Sequence, residues 1–187
     1  NAAAYGEAMA GASKDINNSV MITLGTGVGG GIIIDKKIYS GFNFAAGELG
    51  HIVIEYNGVP CSCGRSGCWE SYSSATALVR MTREKINECK KDDRYTALTA
   101  LCSENLSKVT GRTAFDAMRQ GDAAGAEVVD KYIRYLACGL TNIINIFQPE
   151  VLCIGGGVCN ERDYLMGPLL PLIATEQYNN TQSLKTQ

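Results

Sequence analysis

The sequence predicts an α/β fold class, and three patterns carry the prediction. Two β-branched runs, Val20–Leu24 and Ile32–Ile34, are joined by glycines in "SVMITLGTGVGGGIIID", a hairpin signature rather than a strand-to-helix one. After Asp122, a good helix-capping residue, Val129, Ile133, Leu136, Leu140, Ile143, Ile144 and Phe147 recur at helical steps. A short apolar run, Val151–Ile154, then reads as a buried strand and leads to a helix around Leu165–Glu176.

The remaining elements follow in order. Residues 1–12 are Ala-rich and end near Gly11, which predicts a helix. "KKIYSG" predicts a short strand, and "HIVIE" at 51–55 predicts another. From Ser74 the pattern turns helical through "SSATALVRMTREKINECKK", "YTALTALCSENL" and "RTAFDAMRQ", and Pro149 ends the long helix. No repeat, low-complexity tract or linker interrupts the 187 residues, so they are read as one α/β domain long enough to bury a core. The chain begins "NAAAYGEAMAG" without Met and ends "SLKTQ" without a stop signal, and is read as a fragment cut at both ends.

Composition narrows the function classes. Lys and Arg number 17 against 19 Asp and Glu, for a net charge of −2 with no basic run, so neither nucleic acid nor a membrane surface is an expected partner. No apolar stretch approaches the roughly 20 residues that cross a bilayer, and no signal peptide is seen. Eight cysteines in a chain of this length are too dilute for a disulfide scaffold. A reducing cytoplasm is the expected location, and there clustered cysteines more often hold metal.

The cysteines do cluster. "HIVIEYNGVPCSCGRSGCWE" places the single histidine, His51, and Cys61, Cys63 and Cys68 within 18 residues. Three thiolates and an imidazole complete a tetrahedral zinc shell of the closed, structural kind. Gly64 and Gly67 allow the sharp turns that bring Cys63 and Cys68 to one ion, and Arg65 offers a compensating charge. Any one of these thiols alone would be explained as a small core residue, as Cys89, Cys102, Cys138, Cys153 and Cys159 are.

Two glycine clusters point to phosphate. "LGTGVGGG" contains G-x-G-x-x-G at Gly25, Gly27 and Gly30, but a strand pattern follows it instead of the helix that a dinucleotide site needs, and no Lys-Ser/Thr completes a P-loop. What remains is a hairpin turn over residues 25–31, with Gly25, Thr26, Gly27, Gly29 and Gly30 offering backbone N–H groups and a hydroxyl to phosphate oxygens. The second cluster, Gly155, Gly156 and Gly157, ends the Val151–Ile154 strand and fits either a nucleotide contact or a tight turn. Between the clusters, "AAGELGH" sets Glu48 three residues before His51, and Glu70 follows Cys68-Trp69. Two carboxylates and an imidazole suit the vicinal hydroxyls of a sugar, with His51 giving one ring nitrogen to metal and the other to the ligand.

With those residues in place, the chain resembles the ROK family of sugar kinases and repressors. "LGTGVGGGII", "AAGELGH" and "CSCGRSGCWE" carry the resemblance, the last fitting CxCGxxGCxE at every fixed position, and "GFNFAAGELGH" looks most like the family's bacterial glucokinases. The resemblance implies an actin-like ATPase (ribonuclease H-like) fold, with residues 1–187 forming the C-terminal lobe, the zinc loop at 51–70, and the N-terminal lobe outside this chain. It implies that Glu48, His51 and Glu70 bind sugar, that His51, Cys61, Cys63 and Cys68 hold zinc, and that both glycine clusters bind ATP with Mg²⁺. It implies a homodimer. The family's catalytic Asp belongs two positions before Asn1, so no catalytic residue is expected in this chain, and the chain alone is expected to be inactive. The expected whole-protein activity is glucokinase, an entry to glycolysis. Alternatives are a kinase for fructose, mannose or N-acetylmannosamine, a sugar-responsive repressor, and a zinc-stabilised interaction module without ligand.

Overall fold

A computed structural model describes residues 1–178 and 186–187. Helix α1 (Ala2–Ala10) leads into a hairpin of β1 (Ser19–Leu24) and β2 (Val28–Ile34), followed by the two-residue strand β3 (Lys37–Ile38). An irregular segment runs from there to α2 (Glu70–Ser73) and α3 (Ala75–Lys91). Short helices α4 (Ala97–Leu101) and α5 (Thr113–Arg119) precede the long α6 (Ala123–Phe147). Strand β4 (Val151–Gly155) and α7 (Asp163–Glu176) complete the order.

The four strands form one mixed sheet in the order β3-β2-β1-β4. Strand β1 pairs antiparallel with β2, Ser19 opposite Ile33 and Leu24 opposite Val28, and parallel with β4, Ser19 beside Val151 and Thr23 beside Gly155. Alternation then sorts the side chains. Val20, Ile22, Leu24, Val28 and Ile32 enter the main core with Trp69, Leu78, Phe115, Leu136 and Leu140. Met21 and Ile33 turn to the opposite face and pack on Ala4 of α1. Helices therefore cover both faces, with α1 on one side and the α3, α5 and α6 layer on the other.

Local chemistry explains the helix boundaries. The Asp122 carboxylate accepts from Gly125 N at 2.7 Å and caps α6, and the Ser74 hydroxyl accepts from Ala77 N at 3.0 Å and caps α3. Gln148 in the left-handed region closes α6 ahead of Pro149.

Three sequence expectations change. "HIVIE" is not a strand: Leu49–His51 is a 3-10 turn, and Val53 makes only an isolated bridge to Cys68. Its apolar residues pack down onto the core from a loop, because the cysteine segment beyond it folds back. The hairpin turn is confined to Gly25–Gly27, since Gly29, Gly30 and Gly31 lie in β2 opposite Thr23, Ile22 and Met21. Strand β4 is half-buried, because it lies outermost in the sheet. Among the described residues, no helix is long and apolar enough to cross a membrane.

The core has one anchor that sequence periodicity does not reveal. Trp69 is fully buried, and its indole N–H donates to the Tyr135 carbonyl of α6 at 3.0 Å. The ring lies against Gly139 so closely that a Cβ there would overlap it. Gly139→Ala is expected to lower the unfolding free energy by about 1–3 kcal/mol, the usual cost of overpacking, in urea titrations of the folded protein. An unchanged midpoint would mean that the indole does not sit in that groove.

Candidate functional site

The thiol loop is built on that anchor. Cys68 immediately precedes Trp69, whose backbone N–H donates to Ile52 O at 2.8 Å, so the two limbs of the loop meet at their base. Cys61 N donates to Arg65 O at 2.8 Å and Gly64 N to Cys61 O at 3.1 Å, with Gly64 and Gly67 at positive φ as the sharp turns require. A pair of tyrosines braces the loop from below. The Tyr72 hydroxyl accepts from Val59 N at 2.6 Å, the Tyr135 hydroxyl donates to Glu55 at 3.1 Å, and the two rings lie 4.4 Å apart.

This scaffold gathers His51, Cys61, Cys63 and Cys68 with their ligand atoms all within 4.8 Å of one another. His51 Nδ1 is 3.6 Å from Cys61 Sγ, and the Cys63 and Cys68 sulfurs are 3.6 Å apart. Zinc bonds of about 2.3 Å to sulfur and 2.0 Å to nitrogen give tetrahedral edges of roughly 3.5–3.8 Å, so the donor set and its spacing fit that ion. Electrostatics argue the same way. Burial raises the Cys61 thiol, but hydrogen bonds with Cys63, Ser71 and Cys68 outweigh it and bring it down to about 6. Burial, joined by the Cys63 and Cys61 thiols, pushes Cys68 up to about 12. Thiols this crowded resist ionising together unless a cation sits among them. The Arg65 guanidinium lies 3.4 Å from the His51 carbonyl, at the rim of the cluster.

Glu70 connects the thiol loop to the hairpin. One carboxylate oxygen accepts from Val28 N at 2.9 Å, and the other is 3.9 Å from Cys61 Sγ. Helix α3 holds the same turn from the other side: Ala75 N donates to Gly25 O and the Thr76 hydroxyl to Thr26 O, both at 2.8 Å. Between turn, thiol loop and α3 opens a cleft of about 410 Å³, which Thr26, Gly27, Cys61, Ser62, Glu70 and Arg80 help to line.

Not every residue singled out in the sequence reaches that cleft. Glu48 is exposed just before the Leu49–His51 turn, and neither it nor His51 is among the cleft's lining residues. Gly30 faces Gly47 and Leu49 instead. Gly155, Gly156 and Gly157 sit at the carboxyl end of β4, next to the hairpin turn because β1 and β4 run parallel. Gly156, at φ +101°, comes so close to the Leu24 backbone that a Cβ would overlap it. Ser71, Ser74, Thr76 and Arg80 also line the cleft but carry no motif; the run of hydroxyls in "SYSSAT" directly after the cysteine motif was the available signal.

The family profile described as "ROK family" matches residues 1–185. The chain belongs to the ROK family. A glucokinase from Halalkalibacterium halodurans is 41% identical over 170 residues, covering 90% of this chain and 50% of that protein. A xylose repressor from Bacillus spizizenii is 31% identical over 180 residues, covering 95% of this chain and 41% of the repressor. A crystal structure of a ROK family glucokinase from Streptomyces griseus in complex with glucose and AMPPNP matches with a TM-score of 0.87 at 33% identity, covering the whole of this chain and 60% of that one. The mixed sheet and its two helical layers are thus part of an actin-like ATPase fold, and the chain spans about half the length of the curated glucokinases it matches.

The second glycine turn has its own support. Glu161, at 4% exposure, ends the 3-10 turn Gly157–Glu161 and ion-pairs with Arg119, which also reaches Asp116 at 2.7 Å and lies over the Tyr164 ring. Glu161→Ala is expected to cost about 2 kcal/mol, less than breaking a wholly buried pair because Arg119 is partly solvated. Hydrogen exchange should rise at 155–161 while β1 and β2 stay protected; equal exchange at 155–161 in both proteins would show that the pair does not hold the turn.

Proposed function

We propose that residues 1–187 are the C-terminal lobe of an ATP-dependent sugar kinase, and that the whole protein phosphorylates glucose to glucose 6-phosphate. The observation that carries this reading is Glu70, a carboxylate held between the N–H of the hairpin and the thiol cluster, with both bordering one cleft. A polar turn suited to phosphate and a carboxylate suited to sugar hydroxyls are thereby brought together, as phosphoryl transfer requires. The similarity to glucokinases supports it.

In this reading Thr26 and Gly27 present backbone N–H groups and Thr26 its hydroxyl to the nucleotide phosphates, while the Gly25 N–H closes the turn beneath them onto Gly27 O. Gly29 and Gly30 keep the strand behind them slim, and Gly155, Gly156 and Gly157 border the nucleotide from β4. Glu48, His51 and Glu70 orient the sugar, the two carboxylates accepting hydrogen bonds from its hydroxyls and the free ring N–H of His51 donating to one, so placing the 6-hydroxyl towards the phosphates. Mg²⁺ would neutralise phosphate charge, and zinc on His51, Cys61, Cys63 and Cys68 would fix the imidazole and the loop. The hydroxyl proton passes to the Asp that the family motif places ahead of Asn1. The same sugar-binding half without turnover is a repressor, a second reading favoured by the similarity to a xylose repressor.

The deciding experiment measures ADP release by the full-length protein on a panel of glucose, fructose, mannose and N-acetylmannosamine, with zinc content read by native mass spectrometry. Glucose-dependent release with one zinc per chain is the expected result. Zinc and sugar binding without turnover on any of the four would favour the repressor, and preference for another sugar would reassign the substrate. Cys63→Ser is expected to lose the zinc and most sugar-dependent turnover, whereas Cys138→Ala, on α6 outside the loop, should keep both.

A further inference from the structure

The hairpin turn makes few hydrogen bonds of its own. Within it only one hydrogen bond closes, from Gly25 N to Gly27 O at 3.0 Å, and two of its three residues are glycines with wide conformational freedom. Its carbonyls, however, are not free to turn. Gly25 O accepts from Ala75 N and Thr26 O from the Thr76 hydroxyl, both at 2.8 Å. In a trans peptide the carbonyl and the N–H of the next residue point in opposite directions. Drawing the Gly25 and Thr26 carbonyls toward α3 therefore aims the Thr26 and Gly27 N–H groups away from it, as one unit.

We propose that Thr76 is a positioning residue that sets the phosphate-binding turn before nucleotide arrives. This inference rests on the reading of that turn given above. Among the described residues, Thr76 supplies the one grip on the turn's carbonyls that comes from a side chain, since Ala75 acts through its backbone. It is exposed on the first turn of α3, whereas Ala77 and Leu78 beside it are buried, so its hydroxyl is not needed for the core. Its hydrogen bond spans 50 residues of sequence, an unusual use of an exposed threonine that could bond water instead. Without it the peptide between Thr26 and Gly27 regains rotation, and binding nucleotide must first reorder it.

The test compares full-length wild type, Thr76→Val and Thr76→Ser. Hydrogen exchange of peptides spanning residues 24–28 is measured without ligand, and the Kd for a non-hydrolysable ATP analogue is measured by calorimetry. Thr76→Val, nearly isosteric but without a hydroxyl, is expected to speed exchange in that segment and to weaken the analogue by about threefold to tenfold, the range for one lost hydrogen bond. The KM for ATP should rise alike, with kcat at saturating ATP and the KM for sugar unchanged, and Thr76→Ser should restore all of it. Weaker binding with unchanged exchange would mean that the hydroxyl touches nucleotide directly, and would overturn the positioning role. Wild type that binds the analogue while Thr76→Val binds it equally would overturn this inference alone. Wild type that binds none would overturn the phosphate reading of the turn and this inference with it.

Discussion

The contact on which the site depends is the one between the Trp69 indole and Gly139. A helix of 25 residues normally presents a continuous ridge of side chains, and α6 is interrupted at the point where the ring enters. The indole gains a fully buried seat and a carbonyl acceptor on the same helix, worth more than its area because its polar N–H is satisfied. Through that seat the chain from Cys68 to Glu70 is referenced to the long helix α6, whose Leu136, Ala137 and Leu140 are wholly buried. A tether at the loop tip would leave the thiols free to swing; one at the base fixes their direction.

From this base, residues 68–76 form a short bracket between thiol loop and hairpin. Cys68 faces the thiol cluster, Trp69 faces the core, Glu70 reaches Val28, and Ala75 and Thr76 reach the turn. Tyr132 adds a link from below, its hydroxyl donating to Ser73 O at 2.8 Å. Successive residues thus point to different partners because the bracket is one turn of helix, a break at Ser74, and the start of another helix. A single uninterrupted helix would repeat its facing every three to four residues and could not serve all of them. The break is what allows one short segment to hold both halves of the cleft.

Much of this was legible in the sequence. The hairpin, the helix after Asp122 and the strand at Val151 follow from periodicity and capping, which are local. The thiol set was legible because four residues of metal-ligating type in so short a window have few other uses. Less legible were features set by packing between distant segments. "HIVIE" has strand composition, yet it has no neighbouring strand to pair with beyond the Val53–Cys68 bridge, and composition cannot supply one. Gly30 and Gly31 look like more of a phosphate turn until the register sets them opposite Ile22 and Met21. The meeting of Gly156 with Leu24 needed the parallel pairing of β1 and β4, and Thr76 has no signature beyond the run of hydroxyls that it ends.

The segment from Ile52 to Gly67 shows why a metal would be used here. Among the described residues it holds no helix or strand, only two isolated bridges and a few backbone hydrogen bonds. Its apolar side chains are partly buried at best, so hydrophobic burial gives this loop little stability of its own. The tyrosine brace fixes the limb at Val59 and Glu55 but stops short of the tip at Cys61–Arg65. Beyond its turn hydrogen bonds, what remains to order the tip is the thiol and imidazole cluster, whose crowded thiols ionise together more readily with a positive charge among them. An ion there would supply that charge and replace a missing core with a few strong bonds, while leaving the outer face of the loop polar. A hydrophobic plug could stiffen the tip equally well, but it would take the place of the polar groups that border the cleft.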